Sequence, residues 1–457
     1  MTEISILGST DPSGLALGQG RNINWYSELV NGLPVLRPTP GRTQWVALPS
    51  GNVRGWVETD DLLYTVCGST LYKVTIGGAF TAIGSMSSSA GRIPMATNGF
   101  SVLLSDNGKM YATTGGALTA VTDVDAPTTV SDIVFVDGFY LVVDAATGRF
   151  YTAEFTYDAF NWNALDFALS EANPDKLLRL FADKNVLNAF NTMSLERFVN
   201  TGNLDFQFEP VKSAVSHFGL EAADTVSRVG QYICWLGRNE NGGRVVYATG
   251  GAADPQKISD HLIDSFHNAM DSVEDAYAYS ISFKGHDWYC LTHPNYEGHG
   301  ITFVFDLTTQ TSFEWSTYVD KPGNQGRFGA ERHVYFGGDH IVSDGNILYK
   351  LTAPTAHTQM ELSVAKDGRS YGNSRTKFLG NTGQYKRLIW RRMGSGRRWG
   401  FKFRTSTDEA CDGGKRIIRE RILDAVSDND RNIRFNKVFL DVESGVTELV
   451  IRGGDIK

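Results

Sequence analysis

Five histidines, His286, His293, His299, His333 and His340, crowd into one third of the chain. Imidazoles gathered this way could hold a transition metal, since His and Cys at short intervals are the usual makings of a zinc site. They fall on at least two strand-rich stretches, and no Cys-x2-Cys pair stands beside them. Strand-end and turn positions are the expected reading, with no metal. The four cysteines, Cys67, Cys234, Cys290 and Cys411, lie far apart, three of them in apolar runs such as "YICWLG". They read as buried free thiols. "GSGRRWG" (394–400) orders its glycines like a phosphate loop. It lacks the Lys-Ser/Thr pair and the strand–turn–helix setting that cradle a nucleotide. No cofactor and no catalytic residue is expected.

The other chemically loaded stretch is basic. From Lys386 to Arg404 there are eight Lys or Arg residues and no acid. Strand alternation in "RRWGFKFR" puts Trp399, Phe401 and Phe403 on one face and Arg398, Lys402 and Arg404 on the other. Three readings fit such a stripe: a solvated outer face, a contact with an acidic neighbour in an assembly, or a contact with DNA. Arg391, Arg392, Arg398, Lys402 and Arg404 are the candidates for an assembly interface. A formal net charge of −8 argues against non-specific nucleic-acid binding by the chain as a whole.

These residues must be positioned by strands. "LYTVCGSTLYKVTIGGAFTAIG" (63–84) and "LLSDNGKMYATTGGALTAVT" (103–122) share an apolar pair, a Gly-containing turn, a Tyr, and then Gly-Gly-Ala-x-Thr-Ala. "DIVFVDGFYLVVDAATGRFYTAEF" (132–155) continues the pattern, placing Tyr72, Tyr111 and Tyr151 about forty residues apart. Further hairpins follow over 180–202, 229–251, 281–317 and 332–352, the last with Tyr349. A strand-rich unit repeated every 40–50 residues marks a β-propeller blade, because radial packing hides the edges and apolar faces a lone blade exposes. Six or seven blades are expected. "SDNGKMY" and "SDGNILY" are similar to the Asp-box turns that brace hairpins in sialidase propellers, without their serine spacing or closing Trp. The linear sequence singles out no carboxylate pair for glycoside hydrolysis. One short helix is expected over 259–270, capped by Ser259 or Asp260, with Leu262, Ile263, Phe266 and Met270 on one face.

The 457-residue chain has 48 glycines but only 13 prolines, which suits many tight turns between ordered strands. No secretory leader is visible at "MTEISILGST", and no apolar run nears the roughly 18–20 residues that span a bilayer. A soluble protein made in a reducing compartment is expected. Residues 1–50 hold few clear strands and read as an amino-terminal arm. Residues 51–354 read as the propeller, and 355–457 as a more charged carboxy-terminal β domain serving as a platform. The fold class is all-β.

"RNINWYSE" (21–28) with "RPTPGR" (37–42) resembles the amino-terminal signature of the tail nozzle, or packaged-DNA-stabilisation, proteins of short-tailed bacteriophages. "NWNALDFALSEANPDKLLRL" (161–180), "SLERFVNTGNLDFQF" (194–208) and "CWLGRNENGGRVVYATGG" (234–251) are similar to segments of that family in the same order. So are "HDWYCLTHP" and "ITFVFDLTTQTSFEW", and "AKDGRSYGN" through "RRWGFKFRTS" resembles its carboxy-terminal signature. The family often has Asp-Gly-Gly-x-Thr-Trp where this chain has "KDGRSYG". The final fifty residues extend beyond the signature. The resemblance implies a non-enzymatic virion component made in the bacterial cytoplasm. It would form a ring, six-fold in the family, beneath the tail adaptor or portal-proximal ring. There it would extend the conduit for double-stranded DNA, retain the genome, and dock fibres or spikes. The competing readings are a monomeric propeller scaffold that binds host proteins and a propeller enzyme, glycosidase-like, acting on host surface polysaccharide; the enzyme is the nearer alternative. It requires carboxylates or arginines converging on one propeller face.

Overall fold

The computed structural model describes residues 2–3, 20–31, 33–49, 51–170, 175–203, 206–238, 241–251, 254–318, 325–353, 357–367, 369–379, 385–407, 412–423, 426–427, 432–444, 449–452 and 455–456. Two compact units emerge: 44–257 with 330–349, and 1–43 with 258–329 and 350–457.

In the first of these units, four-stranded antiparallel sheets follow one another over 53–85, 95–120, 130–169 and 177–210. A five-stranded sheet comes next over 219–257. In the last sheet, Arg332–Phe336, Asp339–Asp344 and Ile347–Thr352 are joined by the early strand Gly41–Ala47. The turns follow from their residues. Asn107 and Gly108 (φ 50° and 85°) link Val102–Asp106 to Lys109–Thr113, and Asp137 and Gly138 (φ 49° and 91°) link Val130–Val136 to Phe139–Asp144. Two consecutive left-handed residues form the turn whose twist matches a hairpin, and Asn, Asp and Gly tolerate that conformation best. Tyr72, Tyr111, Tyr151 and Tyr349 all fall on the third strand of their sheets.

Each second strand is buried on both faces, which explains continuous apolar runs such as "FYLVVD". Its alternate residues serve different cores. Leu103 packs with Val130 and Val142 of the following sheet, while Val102 and Leu104 pack with Tyr64 and Val66 of the preceding one. Leu141 and Val143 then meet Leu180 and Leu187, and Phe190 meets Trp235 and Tyr247. The first and last sheets share a core as well, through Leu63 and Val74 against Ile341, Leu348 and Val46. Burying each such side chain stabilises by about 1.5–3 kcal/mol. The first five sheets share cores in sequence and the last shares one with the first, the arrangement of a β-propeller.

The second unit contains one more meander, Tyr277–Phe283, His286–His293, Ile301–Asp306 and Thr311–Glu314. It continues through Arg21–Ile23, Ile418–Ile422, Arg398–Thr407, His357–Lys366 and Arg375–Phe378 into one ten-stranded sheet. A second sheet combines Tyr385–Gly396, Ile433–Ser444, Leu449–Arg452, Leu33–Pro38 and Trp25–Val30. Trp25, Leu388, Trp390, Trp399, Phe401, Phe403, Phe435 and Leu440 form a common core between the two, a β-sandwich. The helix is His261–Ala269, capped by Asp260, whose side chain accepts from the Leu262 and Ile263 amides at 3.0 Å.

The arm expected over 1–50 is, in its described part, five strands: Thr2–Glu3, Arg21–Ile23, Trp25–Val30, Leu33–Pro38 and Gly41–Ala47. Trp25–Val30 and Leu33–Pro38 form a hairpin with each other, but the other partners of these strands lie hundreds of residues away, so no repeat marks them. Pro34 and Pro38 sit outside the Val35–Leu36 stretch that pairs with Ile451 and Arg452, where a missing donor costs no ladder bond.

Candidate functional site

The first strands of successive propeller sheets lie side by side, Met95–Thr97 beside Val130–Val136 and Val130–Val136 beside Leu177–Asp183. Ionic side chains near their starts converge. Arg92 donates from Nη2 to Asp132 Oδ1 at 2.9 Å and places Nε 2.6 Å from Asp224 Oδ1. Asp132 Oδ2 accepts from the Leu180 amide at 3.0 Å. Arg179 lies 3.9 Å from Asp132 and 3.7 Å from Asp224, and donates to the Ala223 carbonyl. Arg332, opening the last sheet, is near enough for its charge to act on both Asp224 and Arg179. These five residues come from five different sheets. Arg92 and Asp224 stand three sheets apart, and side chains so separated around a propeller meet only at its axis.

The electrostatics follow from that crowding. Burial alone would push the Asp224 carboxyl up, but the guanidiniums of Arg92, Arg179 and Arg332 outweigh it and hold the group below the usual carboxylate range. Burial, reinforced by repulsion from Arg92, pulls Arg179 down to about 10 against the opposing pull of Asp132 and Asp224. Asp132 is 2% exposed, whereas Arg92, Arg179 and Asp224 keep 23%, 17% and 31% of their side-chain surface open to water. A glycosidase needs one carboxylic acid kept protonated near neutrality. The arginines drive Asp224 the opposite way.

Carboxylates elsewhere brace hairpins. Asp106, from "SDNGKMY", accepts from the Ser88 amide at 2.8 Å, Ser87 Oγ at 3.1 Å and Arg54 Nη2 at 3.0 Å. Arg54 also donates to the carbonyls of Gly68 and Ser88, tying the first sheet to the second. The amino-terminal segment is held similarly. Arg21 pairs bidentately with Glu314, and Arg42, buried against Asp412, lies 4.9 Å over the Phe328 ring.

The histidines disperse. His286 Nδ1 lies 2.7 Å from Asp306, His293 is buried with its ring 5.0 Å from that of His267, and His299 is exposed. His333 Nε2 is 3.0 Å from His340 Nδ1. Among the described residues no group of three or more His, Cys, Asp or Glu side chains could hold a metal. Cys67, Cys234 and Cys290 are buried free thiols, and burial pushes all three up, Cys67 to about 11. Cys411 lies outside the described residues.

The basic stripe divides. Trp399, Phe401 and Phe403 are 0%, 0% and 4% exposed in the sandwich core, and Arg398, Lys402 and Arg404 alternate with them outward. Arg391, also exposed, stands on Tyr385–Gly396 in the opposing sheet, and the Arg392 side chain lies outside the described residues. Only Arg397 separates that strand from Arg398–Thr407 in the other sheet. Acids that the run itself lacks come from neighbouring strands. Lys402 Nζ is 3.7 Å from Glu420, Arg404 lies across from Glu361 and Glu420, and Arg387 grips Asp441 at 2.6 and 2.8 Å. A groove of about 450 Å³ runs past Arg404, lined also by Tyr318, Glu361 and Arg416.

The axial cluster was invisible as a linear motif. Residues 92, 132, 179 and 224 stand about one repeat apart, and 332 about two repeats on. Charge recurring in phase with the repeat was the available signal.

A family model described as bacteriophage P22 Gp10, β-propeller, matches residues 25–356, and one described as bacteriophage P22 Gp10, β-sandwich, matches 337–414. Similar solved structures include the WD40 β-propeller domain of Doa1, at 11% identity and TM-score 0.41 over 68% of this chain and 96% of that one. The N-terminal domain of Nup159 is 11% identical with TM-score 0.40, covering 73% and 99%. PorZ of Porphyromonas gingivalis, a surface component of the type-IX secretion system, is 12% identical with TM-score 0.37, covering 89% and 52%. No curated protein sequence matches.

Proposed function

The chain belongs to the bacteriophage P22 Gp10 family, and from that premise we propose that it is a structural protein of a phage tail. In this reading it forms a nozzle ring that extends the DNA conduit, helps retain packaged DNA, and docks neighbouring tail proteins. The observation that carries the reading is the match of both family models, over 25–356 and 337–414. A 2.6 Å bridge from Arg92 to Asp224 leaves no passage for a duplex, whose major groove alone is about 12 Å wide. In this reading the conduit is enclosed between copies of the chain, not threaded through one.

Closure between copies calls for a head-to-tail ring, six-fold by family resemblance, with an asymmetric interface. The net charge of −8 limits phosphate neutralisation and lets DNA slide. The exposed Arg391 and Arg398 are the stripe residues offered to an acidic neighbour, either the tail adaptor ring or a fibre or spike. We keep 51–354 as the propeller, of seven blades if the 277–314 meander counts as one, and 355–457 as the platform. Catalytic turnover has no place in this account, because the converging carboxylates are locked as ion pairs.

Gold-labelled antibody against the chain, viewed on intact phage particles, should mark the tail. Label on the capsid shell, or only on material outside particles, rejects the assignment. Release of reducing ends from host polysaccharide by the purified chain would establish the enzyme reading instead.

A further inference from the structure

The groove beside Arg404, about 450 Å³, has the size of a small-molecule site. It lies on the outward face of the ten-stranded sheet, where Arg404 alternates with the core residue Phe403. Arg404 stands across from Glu361 on one neighbouring strand, and Ser406 across from Ile418 on the other. Tyr318, Gln359, Glu361, Arg404 and Ser406 are half-buried there, and Arg416 is exposed. Half-burial strips these groups of part of their water. Among the described residues, none of these side chains hydrogen-bonds or ion-pairs with another protein group.

The set they form is mixed. Arg404 and Arg416 offer two planar donor forks, which suit a carboxylate. Glu361 when ionised only accepts, while the Gln359 amide and the Ser406 and Tyr318 hydroxyls both donate and accept. An acidic peptide would use the forks but set its charge against Glu361. A sugar ring bearing a carboxylate would use the whole set. Its acid meets the arginines, its hydroxyls meet Glu361, Gln359 and Ser406, and its apolar face meets Tyr318 and Ile418. We propose that this groove binds one acidic saccharide unit. Glycoside hydrolysis takes two carboxylates, and Glu361 is the one carboxylate among the described lining residues, so the sugar is held and not cleaved. The site is independent of the tail assignment.

Saturation-transfer NMR on the purified full chain, titrated at one ionic strength with glucuronate, glucose or tetraglutamate, tests this. Glucuronate should bind saturably at about millimolar concentration, and glucose about tenfold more weakly. Tetraglutamate should be the weakest of the three. Arg404→Gln should bring glucuronate down towards the glucose level. Glu361→Ala should weaken glucose about tenfold and widen the preference for glucuronate, because a hydroxyl acceptor and a repelling charge leave together. Both substitutions sit on an outward strand face, so the melting temperature should hold. No saturable glucuronate binding by the natural chain overturns the proposal, and that result needs no variant to fold. Tighter binding of tetraglutamate would make the groove a protein-docking site, and binding unchanged in both variants would place the sugar elsewhere. Either of these overturns it too.

Discussion

Arginines gather in two regions of this chain and are treated in opposite ways. In the propeller, Arg54, Arg92 and Arg179 turn inward onto Asp106, Asp132 and Asp224 and join sheets that are not all neighbours. In the sandwich, Arg391 and Arg398 turn outward, and the core beneath them is apolar: Trp390, Trp399, Phe401 and Phe403. The propeller divides its apolar surface among small cores between successive sheets, so charge at the axis can add to what closes it. The sandwich concentrates its apolar surface in one core and needs no charge for cohesion. Inward charge serves shape; outward charge is available to partners.

The strongest break in this comparison is removal of one repeat. Excising 101–140 joins Met95–Thr97 to Leu141–Asp144, what remains of the Phe139–Asp144 strand, and leaves the propeller one sheet short. Thermal unfolding monitored by circular dichroism should lose its cooperative propeller transition, because closure depends on every repeat. A shortened chain that still melts sharply contradicts closure.

Single residues come next. Asp132→Ala leaves Arg92 and Arg179 facing each other, and breaking a buried pair on one side costs about 3–5 kcal/mol. Trp399→Ala should cost a similar ~3–5 kcal/mol through the cavity it leaves. Denaturant titration should assign the first loss to the propeller and the second to the sandwich. Equal loss in both units for either variant would erase the distinction.

Acid should separate the regions more gently. Asp106, Asp144 and Asp224 are all held below the usual carboxylate range, each lifted by burial but lowered more by its hydrogen bonds or ion pairs. The folded propeller therefore binds fewer protons than the unfolded chain near and below pH 4. Its stability from these groups is complete above about pH 5 and drains as pH falls through their folded values. Asp224→Asn should flatten that acid limb, measured as melting temperature against pH.

The smallest effect on stability belongs to the stripe. Arg391→Gln with Arg398→Gln should shift stability by about 0.5 kcal/mol or less, while reducing incorporation into tails. Glu substitution at Lys402 or Arg404 is a poorer probe, since it would set like charges against Glu420 and Glu361.

What the sequence revealed follows the same divide. The hairpins at Asn107-Gly108 and Asp137-Gly138, the capped helix and the Trp399–Phe403 alternation are local patterns, and each appears where its residues indicated. The strands over Arg21–Ala47 were not legible, because most of them complete distant sheets and carry no repeat of their own. The stripe was legible as a run, but the acids facing it, Glu361, Glu420 and Asp441, come from other strands. The axial cluster depends on topology alone, since only ring closure brings Arg92 to Asp224.

An electron cryo-microscopy map of the tail in intact particles tests the central claim most directly. The account predicts several copies in a closed ring, with the lumen between copies, each propeller axis shut at Arg92 and Asp224, and the sandwich face bearing Arg398 against a neighbouring protein. A DNA strand threading the axis of a single propeller, or a tail without this chain, would contradict it.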